Sequence, residues 1–289
     1  MHRTTYSYDD DVNDSLGVAY LAPRTLPWQT PASASVTVGP EPTDRSEDID
    51  HYGNSALFFQ VTTAHRELVV TGASEVEVVP TAYDLEALTV PWELARPAGR
   101  TDLRGAWRAV DLALPSPLVE LTPGVSTYAA ASLRPGRPLG EAVDDLVHRI
   151  FTDFDYDSTA TTVTSTIAHV LTKRAGVCQD FAQLAIAGLR ANGLAARYVS
   201  GYLSTMPPPG QERIVGGDAT HAWLVVWVPE EAGGHWLAVD PTNDVRVGDR
   251  HVTVAWGRDY GDVPPLKGVI FTDAETSTLS VEVDVEPVG

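Results

Sequence analysis

Cys178, His221 and Asp240 offer a thiol, an imidazole and a carboxylate, the set from which metal-independent acyl transfer is built. A thiolate attacks a carbonyl, an imidazole moves the proton, and a carboxylate fixes the tautomer and steadies the imidazolium. Cys178 is the single cysteine among 289 residues. That excludes an intrachain disulfide and a multi-cysteine zinc site, and leaves one thiol free to react in a reducing compartment. It falls in the run RAGVCQDFAQLAIAGLRANG. Ala175-Gly176 breaks the preceding segment, and Phe181, Leu184, Ala185, Ile186 and Leu189 then recur with helical period, so a helix is predicted from about Val177 to the stop at Asn192-Gly193. Cys178 lies in its first turn, where unpaired N–H groups and the positive end of the macrodipole favour an anion and hence the reactive thiolate.

The partners come from a predicted hairpin. HAWLVVWVP (221–229) and HWLAVD (235–240) read as buried strands around a turn at 229–234. If Val228 lies opposite His235, antiparallel pairing sets His221 against Thr242, with Asp240 its diagonal neighbour on the same face. Their Cβ atoms are then about 7 Å apart, within side-chain reach of a hydrogen bond. Taken singly, each residue has a plainer role: a small buried thiol, a satisfied strand histidine, an Asx-turn starter in DPTND. Their convergence from one helix start and one hairpin gives the chemical reading.

The segments GVCQDFAQLAIAGLRANGLAARYVSGYL, THAWLVVWVP, HWLAVDPTND and HVTVAWGRDYGDVPPLKGV resemble the bacterial transglutaminase-like proteins, whose core shares the Cys-His-Asp arrangement of papain-like thiol enzymes. HRTTYSYDDDVNDS, PRTLPWQ and DIDHYGNSALFF are similar to the amino-terminal region that accompanies this core in bacteria. The resemblance implies Cys178 as nucleophile, His221 as histidine and Asp240 as acid. It also implies a superfamily that holds acyl transferases, peptidases, deamidases and members that have lost catalysis. No segment resembles the calcium sites of the animal enzymes, and no cofactor is expected.

The surrounding sequence must position these groups. Residues 1–115 carry short alternating segments such as ALFFQVTTA and LVVTGASEVEVVP, predicting an antiparallel, sandwich-like β domain. The acidic run Asp44 to Asp50 reads as a solvated loop. A connector follows at 116–136, where Leu118 to Ala131 either continues it or forms a short helix. The core is set at 137–289: a helix after Pro138, a second from about Thr162 to Lys173, the Cys178 helix, then strands at AARYVSGYL, the hairpin, HVTVAWG and a terminal STLSVEVDVE. Helices packed on an antiparallel sheet make an α+β fold.

Thirty-nine acidic against 20 basic residues give a net charge of -19. This argues against nucleic acid or an anionic membrane as partner and mildly favours cationic substrates. No stretch reaches a membrane span, and MHRTTYSYDDD lacks the apolar core of a secretion signal, so a cytoplasmic protein is expected.

Other polar positions are read structurally. Asp180 steadies the helix start, since a carboxylate two residues from a thiolate would oppose its charge. Gln179 is read as facing solvent in preference to donating to substrate, Tyr198 and Tyr202 share a strand face and line the cleft or pack, and Arg258 is read as an ion pair with Asp259 or Asp262 in preference to a substrate clamp. The stretch 205–217 is a loop and a candidate cleft rim. His235 and His251 suggest a metal with His221 and Asp240, but His235 begins its strand at the far end of the hairpin and on the other face from Asp240, so no metal is assigned. The expected activity is ping-pong acyl transfer on peptide, protein or small amide substrates, with the Cys178 backbone N–H as one oxyanion donor. The competing class is a non-catalytic binding module of the same fold.

Overall fold

The computed structural model describes residues 1–100, 102–103, 106–205, 220–230 and 234–288. Its amino-terminal half is a sheet of β1 (His2–Ala19), β2 (Gln29–Gly39), β3 (Asp44–Ile49), β4 (Ser55–Val61) and β5 (His65–Val78). Strand β1 is the spine: its first half pairs with β5 and its second half with β4, with a register shift between Ser7 and Val12. Such a bulge bends a long strand. The predicted sandwich therefore takes the form of one sheet curled into a half-barrel around Val12, Leu57, Phe59, Val61, Leu68 and Val70. Gly17 makes the curl possible, because a Cβ there would stand 2.2 Å from the Phe59 ring. The acidic run expected as a loop is instead β3, paired with β4 and exposed along its whole length. A charged edge strand discourages further pairing.

Helix α1 (Ala106–Asp111) falls within the span expected to be β-rich, whose strands end at Val78, and α2 (Pro123–Ala130) falls within the predicted connector. The second starts where Thr122 accepts the Val125 N–H and Pro123 takes the first helical position. α3 (Leu139–Asp153) begins after Pro138 and buries Ala142, Leu146 and Ile150. β6 (Asp155–Tyr156) then runs parallel to β7 (Ala175–Gly176), on either side of α4 (Ile167–Lys173), which starts five residues later than Thr162 (167 against 162). α5 (Cys178–Ala191) stops at Asn192, with Gly193 in the left-handed region at φ 84°. Leu184, Ile186 and Leu189 are at most 1% exposed. Truncating one of them to alanine would cost about 2–5 kcal/mol, so the helix that carries the thiol is firmly seated.

α5 packs on a five-stranded antiparallel sheet of order β11-β10-β9-β8-β12, formed by β8 (Ala196–Leu203), β9 (Thr220–Val228), β10 (His235–Asp240), β11 (Val245–Arg246) and β12 (His251–Gly257). Leu224, Val226 and Val228 meet the helices, while Trp223 and Val225 join Ala238 and Val199 in a separate cluster. This is the period-two alternation of a strand buried on both faces.

The chain ends return to its beginning. The terminal strand expected with the core is β14 (Ser277–Val283), and it and β13 (Leu266–Thr272), for which no strand was predicted, both pair with β1. Alternation of polar and apolar residues shows which face is buried, not which strand lies alongside. Two buried amides fasten the halves. Gln29 accepts the Thr253 N–H and donates to the Thr253 carbonyl, both at 2.7 Å, and Asn54 treats Trp256 in the same way at 2.9 and 2.8 Å. β12 thus receives from side chains the hydrogen bonds that a neighbouring strand would supply. Val18, Tyr20 and Ala56 share one apolar core with α3 and α5. Among the described residues no helix is long and apolar enough to cross a membrane.

Candidate active site

The start of α5 is built by Asp180. Its Oδ2 accepts the Val177 N–H at 2.9 Å and the Thr161 hydroxyl at 2.6 Å. Burial raises the Asp180 pKa, against the opposing pull of those two bonds. A Cβ on Gly176 would stand 2.7 Å from the same oxygen, so only glycine lets the carboxylate close over the turn. Asp180 therefore has the helix-start role expected of it. Gln179 departs from expectation: it is buried, donates Nε2–H to the Val163 carbonyl at 3.1 Å and lines the cleft beside Cys178.

The hairpin has the register read from the sequence, His235 opposite Val228 and Val239 opposite Leu224. Extending that register puts His221 and Asp240 on one face, and they meet: His221 Nε2 donates to Asp240 Oδ2 at 2.7 Å. The remaining ring nitrogen, Nδ1, is the one available to a thiol. α5 crosses the sheet so that its first residue arrives beside the start of β9, and Cys178 and His221 line one cleft, where Cys178 is among the groups that raise the His221 pKa. All three residues singled out in the sequence are thus brought together.

Asp240 is a hub. Besides His221 its Oδ2 accepts from Asn243 Nδ2 at 2.7 Å and from His251 Nε2 at 3.2 Å, while Oδ1 accepts the Thr242 N–H at 2.9 Å. The carboxylate has no exposed surface, and the His221 side chain is 10% exposed. Burial pushes the Asp240 pKa up, but the bonds from His221, His251 and Asn243 prevail and hold it well below the usual carboxylate range. Burial likewise opposes charge on His221; Asp240 and Cys178 outweigh it and raise the imidazole pKa to about 10. Around neutral pH the pair is therefore an imidazolium held by a carboxylate.

Asn243 and His251 extend the site beyond the residues assigned a role in the sequence. Asn243 is the fourth residue of the DPTND turn that Asp240 opens, so local spacing could have found it. His251 could not be found that way. It begins β12, at the sheet edge away from β10, and reaches Asp240 past Trp223, whose ring it meets edge-on at 5.2 Å. The path is open because position 201 is glycine: a Cβ there would lie 2.4 Å from the Trp223 ring. His251 Nδ1 is buried with no hydrogen-bond partner among the described residues.

Ligand atoms of His221, Asp240 and His251 lie within 4.8 Å of one another. Yet both histidines direct a nitrogen at one carboxylate oxygen, at 2.7 and 3.2 Å, the separations of N–H···O bonds and not of ligands arranged about a zinc ion at about 2.0–2.2 Å. His235, at the far end of β10, sits 2.6 Å from Glu230 instead. Arg258 forms its ion pair with Asp262, at 3.0 and 2.9 Å, while Asp259 accepts the Leu118 and Gly261 N–H groups. The predicted rim loop at 206–217 lies outside the described residues.

The thiol opens into a cleft of ≈ 340 Å³ between the core and the amino-terminal sheet. Tyr198 lines it, and Tyr202 does not; Tyr202 accepts or donates a 2.9 Å hydrogen bond with His2 Nδ1 across the junction. Burial lowers the His2 pKa to about 4, so that ring is neutral near pH 7.

Residues 127–241 match the transglutaminase-like superfamily core, and residues 1–77 match the bacterial transglutaminase-like N-terminal region. An uncharacterized protein of Mycobacterium tuberculosis is 49% identical over 99% of this chain and 91% of its own. A protein-glutamine gamma-glutamyltransferase of Pseudomonas aeruginosa is 40% identical over a 73-residue stretch, 25% of this chain and 10% of that one. The crystal structure of a candidate cysteine protease from Cytophaga hutchinsonii superposes with a TM-score of 0.72 at 20% identity, covering 99% of this chain and 91% of that chain, a likeness of fold. With the core and its companion region both matched, the chain belongs to the bacterial transglutaminase-like family.

Proposed function

We propose that this protein is a thiol-dependent enzyme that transfers or hydrolyses acyl groups of peptide or carboxamide substrates. The observation that carries the reading is the His221 ring, bonded to Asp240 through Nε2 in the same cleft that Cys178 lines. The Cys178 sulfur attacks the carbonyl carbon, forming the C–S bond, and the carbonyl π electrons move to oxygen. The Cys178 N–H, in the first turn of α5 where backbone donors lack intrahelical partners, is aimed to receive that oxyanion. Protonated His221 gives its proton to the leaving amine as the C–N bond breaks, leaving a thioester. A second nucleophile, water or an amine, loses its proton to His221 and releases the acyl group from sulfur. Asp240 keeps the imidazole oriented throughout, and its four donors keep Asp240 fixed.

The partial likeness to a glutamine gamma-glutamyltransferase supports an amine as second nucleophile, and the fold shared with a candidate protease supports water. One incubation separates them: a peptide library with and without a primary amine, read by mass spectrometry for cleavage, deamidation and amine incorporation. Turnover that disappears in Cys178→Ala supports the reading. Turnover that persists in that variant, or a wild-type protein that never forms a thioester, overturns it.

A further inference from the structure

On a chain of net charge -19, the Cys178 cleft contains no Asp, Glu, Lys or Arg side chain among the described residues that line it. The acidic surface that favoured a cationic substrate is elsewhere. What the cleft has instead is unburied apolar surface. Tyr156 is 61% exposed, Val163 56%, Leu279 57% and Val281 47%, and all four line this one cleft with Cys178. Single exposed apolar residues are ordinary; a cluster around one concavity marks a place where something apolar binds.

The four come from two sides. Tyr156 and Val163 belong to the core segment between α3 and α4. Leu279 and Val281 stand on β14, opposite Tyr6 and Thr4 of β1, so the first and last strands of the chain present one face to the cleft. The wall is rigid: β14 is paired along its length with β1, and His2 bonds to Tyr202 of the core.

We propose that this wall is the specificity subsite of the enzyme proposed above, and that it takes an uncharged apolar or aromatic side chain of an extended peptide acyl donor, adjacent to the carbonyl at Cys178. Charged side chains are disfavoured because no carboxylate, ammonium or guanidinium faces them among the described lining residues and the His221 ring is already held by Asp240, so nothing there compensates the lost water. The inference rests on the acyl-transfer reading, and its test separates the two.

Peptidyl chloromethyl ketones alkylate the thiol by forming a C–S bond and releasing chloride, so their rates report recognition without turnover. Reagents carrying Phe, Leu, Glu or Lys next to the ketone would be compared with iodoacetamide, which needs no subsite. The Phe and Leu reagents are expected to label Cys178 at least about tenfold faster than the Glu reagent, the discrimination open to an apolar pocket. In Leu279→Ser/Val281→Ser, and independently in Tyr156→Ser, that ratio falls to about two or below while the iodoacetamide rate holds. These positions are exposed, so folding is not at stake. Equal rates for all four reagents with the wild type, or a preference that survives in both variants, would overturn the subsite. An iodoacetamide rate no higher than that of an unassisted thiol would instead count against the triad.

Discussion

The Asp240 hub behind His221 and the apolar wall of the cleft are built on opposite terms. Around Asp240 both carboxylate oxygens have donors, three on Oδ2 and one on Oδ1, the carboxylate is sealed from water, and the groups come from β9, β10, the turn after it and β12. Leu279 and Val281 ride on the backbone pairing of β14 with β1, but their side chains stand about half in water. The first region is organised before substrate arrives, as electrostatic catalysis requires. The second is left unsatisfied, and binding would complete it.

Substitutions at the polar end should be far more damaging than any at the apolar end. Asp240→Asn keeps the shape but removes the charge that holds His221, and kcat/KM should fall by about three to four orders of magnitude. A loss within tenfold would mean that the hub is merely structural. Gly201→Ala attacks the same region through packing: a Cβ would stand 2.2 Å from the Val252 carbonyl and 2.4 Å from the Trp223 ring, so backbone and ring must both move, costing about 1–3 kcal/mol of stability, seen as a lower midpoint in urea. An unchanged midpoint would show that both shift freely. His251→Phe retains the edge contact with Trp223 and removes one donor to Asp240. A drop of about tenfold in kcat/KM with a displaced pH profile is expected, since His251 acts by positioning, whereas a purely structural role would lower Tm and leave the profile in place.

The smallest effect is on pH-dependent stability. His221 has a folded pKa above its model value of 6.5, so its contribution is complete below 6.5 and is lost as pH rises toward about 10. Asp240 is depressed below 3.8, so its contribution is present above that value and is lost on acidification. Thermal melts of the wild type should weaken between pH 6.5 and about 10 relative to His221→Asn, which lacks the titrating ring. Parallel curves would remove the coupling.

Much of the site was legible because it is local. Helix period and the Gly176 break put Cys178 in a first turn, and the hairpin's even loop brings His221 and Asp240 to one face; that the helix start meets the hairpin was implied by the family resemblance. Asp180 was legible for the same reason, as a first-turn carboxylate. The parts that were not legible depend on distant segments. His251 reaches Asp240 from β12, two strands away from β9, and Gln179 is bonded to the Val163 carbonyl, 16 residues earlier. β14 shows the limit most clearly: its alternation predicted a strand, yet its pairing with β1, some 270 residues earlier (281 − 4 = 277), follows from chain topology that no local pattern encodes. The wall of the cleft was hidden with it.

The most direct test of the central claim is the pH dependence of Cys178 alkylation by iodoacetamide. A sulfur held against the protonated His221 should react near pH 6 at least about tenfold faster than a free thiol, and Asp240→Asn should abolish the advantage. A wild-type rate at pH 6 equal to that of a free cysteine, rising only as an ordinary thiol ionises near pH 8.5, would contradict the account.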